Sequence, residues 1–249
     1  MKQNTTNEGF LGLIEKTIRL IPHIYIFFRW LVKYTNYFES DFHYLKNIFQ
    51  DKKINIIDVG ASDGISCKFF LNNLNVNKIF CFEPQKIFHK DLEKLAYKNK
   101  GIKIKKYGLS TREKNETVFV PYLNILGKIF YLSTYTFPKK ENLMKQIKLD
   151  FLISPLIGKI KLKLKRFEIF KDKIQLIKID TNGSEKDIIN SLLSLIKRDK
   201  PVLIIENNDI ENIFRVLKKY NYQKYYVYNN KLLIHSYQNS GNVIFKQKL

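Results

Sequence analysis

Residues 56–70, IIDVGASDGISCKFF, constrain the fold more than any other stretch of the chain. An apolar run suited to a buried strand ends in Asp58. The turn Gly60-Ala61-Ser62-Asp63-Gly64 follows, and a second apolar run at helical spacing starts at Ile65. Strand, glycine turn and helix in this order open a parallel α/β sheet, and residues without bulky Cβ substituents let the backbone pass close to a bound ligand.

The rest of the chain keeps that rhythm. NKIFCFEP, IFHKDLEKLAYKN and IKIKKYGLS continue as strand, helix and strand. After residue 170, IQLIKIDTNG precedes SEKDIINSLLSLIKRD, and PVLIIENND precedes IENIFRVLKKYNY. The alternation predicts one doubly wound, mostly parallel sheet of Rossmann type over residues 51–249. YYVYNN and KLLIHSY are expected to close it as a C-terminal antiparallel hairpin. Residues 111–165 break the pattern with TVFVPYL, IFYLSTYTFP and KIKLKLKRF, which predicts a substrate-side insertion or hairpin rather than a separate domain.

Residues 1–50 read as an N-terminal helical extension. Ile14, Ile18, Ile21, Tyr25, Phe28 and Val32 form a stripe with steps of three and four. Its apolar centre, LIPHIYIFFRWLV, falls short of the roughly 20 residues a spanning helix needs. The expectation is packing on the domain, or peripheral membrane contact through residues 10–35 aided by Arg29, Trp30 and Lys33.

Lysine and arginine number 44 against 23 acidic residues, a formal charge of +21 that favours anionic partners. Only six of the 44 are arginine, so the bidentate forks that read phosphates and base edges are scarce and a nucleic-acid partner is less favoured. Cys67 and Cys81 lie in apolar runs without metal-ligand spacing and read as buried reduced thiols in a cytoplasmic protein.

The turn's ligand follows from charge. Glu83 ends the next strand, 19 residues beyond Gly64, where a carboxylate can accept hydrogen bonds from both ribose hydroxyls. A dinucleotide fingerprint would need a small residue where Ile65 stands, and Asp58 and Asp63 would repel a pyrophosphate. Both suit a cationic, phosphate-free nucleoside such as S-adenosylmethionine. Gly60 to Gly64 also matches the hydrolase elbow GxSxG, with Glu206 and His235 following. That elbow comes after several strands and an oxyanion loop, however, and here a mostly helical segment precedes the first strand.

Taken in order, IDVGASDGISCKFF, FCFEP, IQLIKIDTNGSEKDII and KPVLIIEN resemble the FkbM-type S-adenosylmethionine-dependent methyltransferases over about residues 54–208. Ser62 stands where that family usually has Asn, and Asn182 where it has Glu or Gln. The resemblance implies a class I methyltransferase fold. It also implies that Asp58, Gly60, Ala61, Ser62 and Gly64 line the methionine and ribose side, with Asp63 in the same loop. Glu83 would hold the ribose, and Pro84, Gly108 and Leu109 the adenine.

Asp180 and Glu206, at the carboxyl ends of the fourth and fifth strands, are the catalytic candidates, because open α/β sheets bind ligands at that edge. Glu185 suits the start of the helix after DTNG as a capping carboxylate. The oxygens of Asp180, Glu206 and Asp209 would allow a divalent metal, but their spacing does not favour one. Tyr131, Tyr135 and Phe137 suit sugar stacking or a core hairpin. The expected activity is O-methylation of a sugar, glycan or glycolipid at the cytoplasmic membrane face. An RNA methyltransferase and a catalytically inactive binding module are the alternatives.

Overall fold

The computed structural model describes residues 40–132, 136–150, 154–207, 209–234 and 241–248, with backbone only at 149 and 150. The expectations for residues 10–35, Tyr135 and His235 lie outside these. The chain divides into two compact units, one of Phe38–Glu116 with Leu162–Leu249 and the other including Thr117–Lys161.

The larger unit is built on an eight-stranded sheet. Helix α1 (Ser40–Phe49) precedes β1 (Ile54–Val59), α2 (Ile65–Asn73), β2 (Val76–Phe82), α3 (Lys86–Lys98) and β3 (Ile102–Lys105). The short β4 (Gly108–Leu109) follows. Past the smaller unit come β8 (Leu176–Ile179), α5 (Glu185–Ser191), α6 (Leu193–Asp199), β9 (Val202–Glu206), α7 (Ile210–Lys218), β10 (Tyr222–Tyr228), β11 (Lys231–Leu233) and β12 (Asn242–Gln247). The strand order is β11-β10-β12-β9-β8-β1-β2-β3. From β9 to β3 every pairing is parallel, whereas β12 and β10 run antiparallel to their neighbours.

Strands covered on both faces should be apolar throughout, and β8 is buried at all four positions. Alternate residues enter opposite layers. Ile57, Val59, Ile177, Ile179, Leu203 and Ile205 pack with Ile188, Leu195, Ile213 and Leu217 of α5, α6 and α7. Ile54, Ile56, Ile79, Leu176 and Ile204 pack with Phe42, Leu45, Phe69, Phe70 and Leu92 of α1, α2 and α3. Each helix supplies these contacts from one face, as the spacing Ile210, Ile213, Leu217 on α7 shows.

The doubly wound sheet agrees with the sequence reading, but its closing edge needs one correction. The β10–β11 hairpin forms, turning on Asn229 and Asn230, both at positive φ. It forms the sheet's edge but does not close the chain, because β12 follows it in sequence and inserts between β9 and β10. Part of the sequence expected to be an N-terminal extension is α1, whose buried Asp41 accepts a hydrogen bond from the Asn242 amide of β12 at 3.1 Å.

The smaller unit takes up most of the stretch that breaks the alternation. In it β5 (Lys114–Ile125) forms a hairpin with β6 (Lys128–Tyr131), pairing Tyr122 with Tyr131 and Ile125 with Lys128. Helix α4 (Lys140–Asp150) and the start of β7 (Leu156–Lys165) follow. Its core is Leu132, Leu143 and Ile147 with Phe119, Phe137 and Ile157 packed against them. The hairpin tip leaves Leu126 99% exposed and Ile129 55% exposed.

Candidate active site

The glycine turn sits at the carboxyl end of β1. Gly60 has φ +76°, and a Cβ there would meet the Asp180 carbonyl oxygen at 2.0 Å, so only glycine lets the turn cross the end of β8. The Gly60 amide donates to the Phe82 carbonyl at 2.9 Å. Ser62 is also left-handed, at φ +48°. Its amide donates to Glu83 Oε2 at 2.8 Å, and the Gln85 amide donates to Glu83 Oε1 at 2.7 Å. Glu83 is therefore buried between the turn and the loop after β2, and burial pushes its carboxyl up to about 7 despite these amides. His89 contacts the Glu83 carbonyl at 2.8 Å.

The predicted cofactor residues cluster on this edge. Ala61 and Gly64 are buried, Ser62 and Asp63 half-buried. Gly108 and Leu109 are buried, and a Cβ on Gly108 would stand 3.3 Å from Pro84 Cγ, which puts β4 against the proline after Glu83. Asp58 lies deeper. It is fully buried, its Oδ2 accepts from the Ser66 hydroxyl at 2.5 Å and the Cys67 thiol at 3.3 Å, and its Oδ1 is 3.3 Å from Lys178 Nζ. In this arrangement Asp58 supports the turn from below.

Sequence reasoning passed over Lys178. It pairs in register with Asp58 across β1 and β8, is 4% exposed, and its ammonium reaches the Gly60 carbonyl at 2.9 Å and Asp180 Oδ2 at 3.4 Å. Burial pulls its pKa down, but Asp58 and then Asp180 outweigh this and hold it above the ordinary lysine value. The signal was a lysine inside the otherwise apolar run LIKI, since a charge there needs a buried partner.

The two catalytic candidates meet. Asp180 is half-exposed at the end of β8, and Glu206 ends the neighbouring strand β9, close enough for the two carboxyls to act on each other electrostatically. Burial first, then the charges of Asp180 and Glu185, push Glu206 up to about 8. Glu206 therefore keeps its proton further toward neutral pH than an ordinary glutamate. Glu185 is buried and folds the loop between them. Its Oε1 accepts from the Thr181 amide at 3.2 Å, the Thr181 hydroxyl at 3.1 Å and the Gly183 amide at 3.0 Å. Asp209 instead takes a hydrogen bond from the Asn212 side chain, as the residue before α7. Among the described residues no group of three His, Cys, Asp or Glu is placed to hold a metal.

The Ser62 hydroxyl is buried without a partner in the turn. A free polar group there, beside Glu83, fits the hydroxyls of a nucleoside. The fold is of the Rossmann-like class shared by many methyltransferases.

The chain belongs to the FkbM family of S-adenosylmethionine-dependent methyltransferases, whose domain matches residues 58–224. Among solved structures, methyltransferase FkbM from Methylobacillus flagellatus KT is 14% identical with a TM-score of 0.50. The match covers 78% of this chain and 43% of that one, so the chain spans less than half of that protein's length. The tRNA (m1A22) methyltransferase TrmK of B. subtilis is 10% identical at a TM-score of 0.44, covering 86% of this chain and 68% of its own. An rRNA methylase from Streptococcus thermophilus is 9% identical at 0.40, covering 84% and 93%. These two are too distant to bear on the acceptor. No curated protein matches the chain.

Proposed function

We propose that the protein methylates a hydroxyl of a saccharide, glycan or glycolipid, with Asp180 and Glu206 as the catalytic residues. The observation that carries this reading is that Asp180 and Glu206 end the adjacent strands β8 and β9 at the carboxyl edge of the sheet, with Asp180 against the Gly60 turn. When bound, S-adenosylmethionine supplies an electrophilic methyl on a sulfonium. Ser62, Asp63 and Glu83 are the polar side chains that would hold it, with Gly60, Ala61 and Gly64 giving backbone access and Pro84, Gly108 and Leu109 an apolar wall.

The chain's own part is to position the acceptor and take its proton. Asp180, half-exposed, accepts the hydroxyl proton as the acceptor oxygen takes the methyl and the methyl's bond to the sulfonium breaks, and Glu206, its carboxyl raised by burial, stands beside it on the acceptor side. Such a base contributes about 10²- to 10⁴-fold. Asp180→Asn should lose turnover by about a hundredfold or more while binding S-adenosylhomocysteine within about threefold of the parent. Full turnover in that variant rejects the assignment.

A lipid-linked acceptor is supported by the smaller unit. Thr117–Lys161 carries seven lysines against two acidic residues, and its hairpin exposes Leu126, Ile129, Phe130 and Tyr131. Exposed apolar groups beside lysines suit an anionic bilayer surface, where each lysine is worth about 1 kcal/mol. No helix among the described residues is long and apolar enough to cross a membrane.

A further inference from the structure

We propose that Lys178 is a positioning residue of the methyl-transfer site, one whose ammonium anchors the Asp180 carboxylate to the carbonyl of the Gly60 turn and balances the charge of the acid pair. The proposal rests on the reading of Asp180 as the acceptor-side base.

A lysine placed only to neutralise Asp58 would need nothing beyond its register partner. Lys178 does more. An ammonium has three protons to donate, and three oxygens surround this one: Gly60 O at 2.9 Å, Asp58 Oδ1 at 3.3 Å and Asp180 Oδ2 at 3.4 Å. One belongs to the turn expected to touch the cofactor, one is the buried counter-ion, and one is the half-exposed carboxylate at the acceptor side. Asp58 is also secured independently by Ser66 and Cys67. The lysine head is 5% exposed while the Asp180 side chain is 47% exposed, so the rigid partner holds the accessible one.

The charges facing this ammonium come from every neighbouring element: Asp58 on β1, the Cys67 thiol on α2, Glu83 after β2, Asp180 after β8 and Glu206 on β9, with Glu185 of α5 acting on Glu206. Apart from the thiol, all five of these side chains are carboxyls, and Lys178 acts on Glu206 against burial, Asp180 and Glu185. Removing it should therefore raise the pH at which Glu206 gives up its proton. It should also release the Gly60 carbonyl.

The test compares Asp58→Asn with Asp58→Asn/Lys178→Met. The double variant leaves no unpaired buried charge, so both are expected to fold, and they differ only at the lysine. Carboxyl carbons are followed by ¹³C NMR against pH, with Glu206→Gln to assign the pair. Loss of Lys178 should raise the Glu206 midpoint by about one pH unit or more, and should weaken S-adenosylhomocysteine binding about fivefold or more by calorimetry. Coincident midpoints or equal affinities overturn the proposal. Failure of the underlying reading looks different: Asp180→Asn keeps turnover whatever the midpoints do. If Asp58→Asn itself binds no S-adenosylhomocysteine, the midpoint comparison still decides.

Discussion

Single residues in this molecule carry constraints of very different legibility. Gly60 was readable, because a glycine ending an apolar run before a helix has few other uses, and the turn crosses β8 so closely that a Cβ would overlap the Asp180 carbonyl. Gly60→Ala adds that overlap to a positive φ. We expect it to lower stability by roughly 1 to 3 kcal/mol and to abolish S-adenosylhomocysteine binding, as thermal unfolding and calorimetry would show. Asp180 and Glu206 were legible as acids terminating strands. Their proximity was not, since it requires knowing that β8 and β9 are neighbours. Lys178 was missed for the same reason: its meaning lies in its pairing with Asp58, 120 positions away along the chain, and no local spacing encodes that.

At the level of elements, the βα units announced themselves through apolar runs bounded by Gly, Pro, Asn and Asp, and the helices through one-sided spacing. The insertion of β12 did not. The Asn229-Asn230 turn is a local hairpin signal that favours β10 with β11, whereas the pairing of β12 with both β9 and β10 is fixed by burial of Val243, Ile244 and Phe245 in both layers of the core. Helix α5 is another element whose start matters more than its length. Glu185 satisfies the Thr181 and Gly183 donors there, and Asp187 accepts from the hydroxyls of Ser110 at 2.7 Å and Thr111 at 2.6 Å, tying α5 to the residues after β4. Glu185→Ala should cost about 1 to 2 kcal/mol and loosen the loop carrying Asp180, seen as faster amide exchange at residues 181–184. In the β5–β6 hairpin, Leu126→Asp should leave thermal stability unchanged, because that side chain touches solvent, yet reduce sedimentation with anionic vesicles severalfold. Unaltered sedimentation would remove the membrane argument from this hairpin.

The whole molecule should become less stable as pH rises through neutrality. Asp41, Glu83 and Glu206 are held at about 6, 7 and 8, above their usual values of 3.8, 4.5 and 4.5, chiefly by burial. Between the ordinary carboxyl pKa and those raised values the folded state keeps protons that the unfolded chain has lost. The stabilisation is complete below about pH 4, declines as pH rises, and is gone above about 8, with each pH unit of difference worth about 1.4 kcal/mol. Asp187 and Asp199 act oppositely: hydrogen bonds outweigh burial and hold them below the usual carboxylate range, so their contribution is present above about pH 4 and fades in acid. The melting temperature should thus peak in mildly acidic buffer and fall toward pH 8, and Glu206→Gln should flatten the fall between about pH 6 and 8. A rising melting temperature across that interval would contradict the burial of these acids. The placement of β12 has a further effect on how the molecule is made. A strand emerging late from the ribosome must wedge between two that emerged before it, so β10 and β11 wait unattached until synthesis has passed residue 247, and the nascent chain is open to chaperones and proteases for that interval.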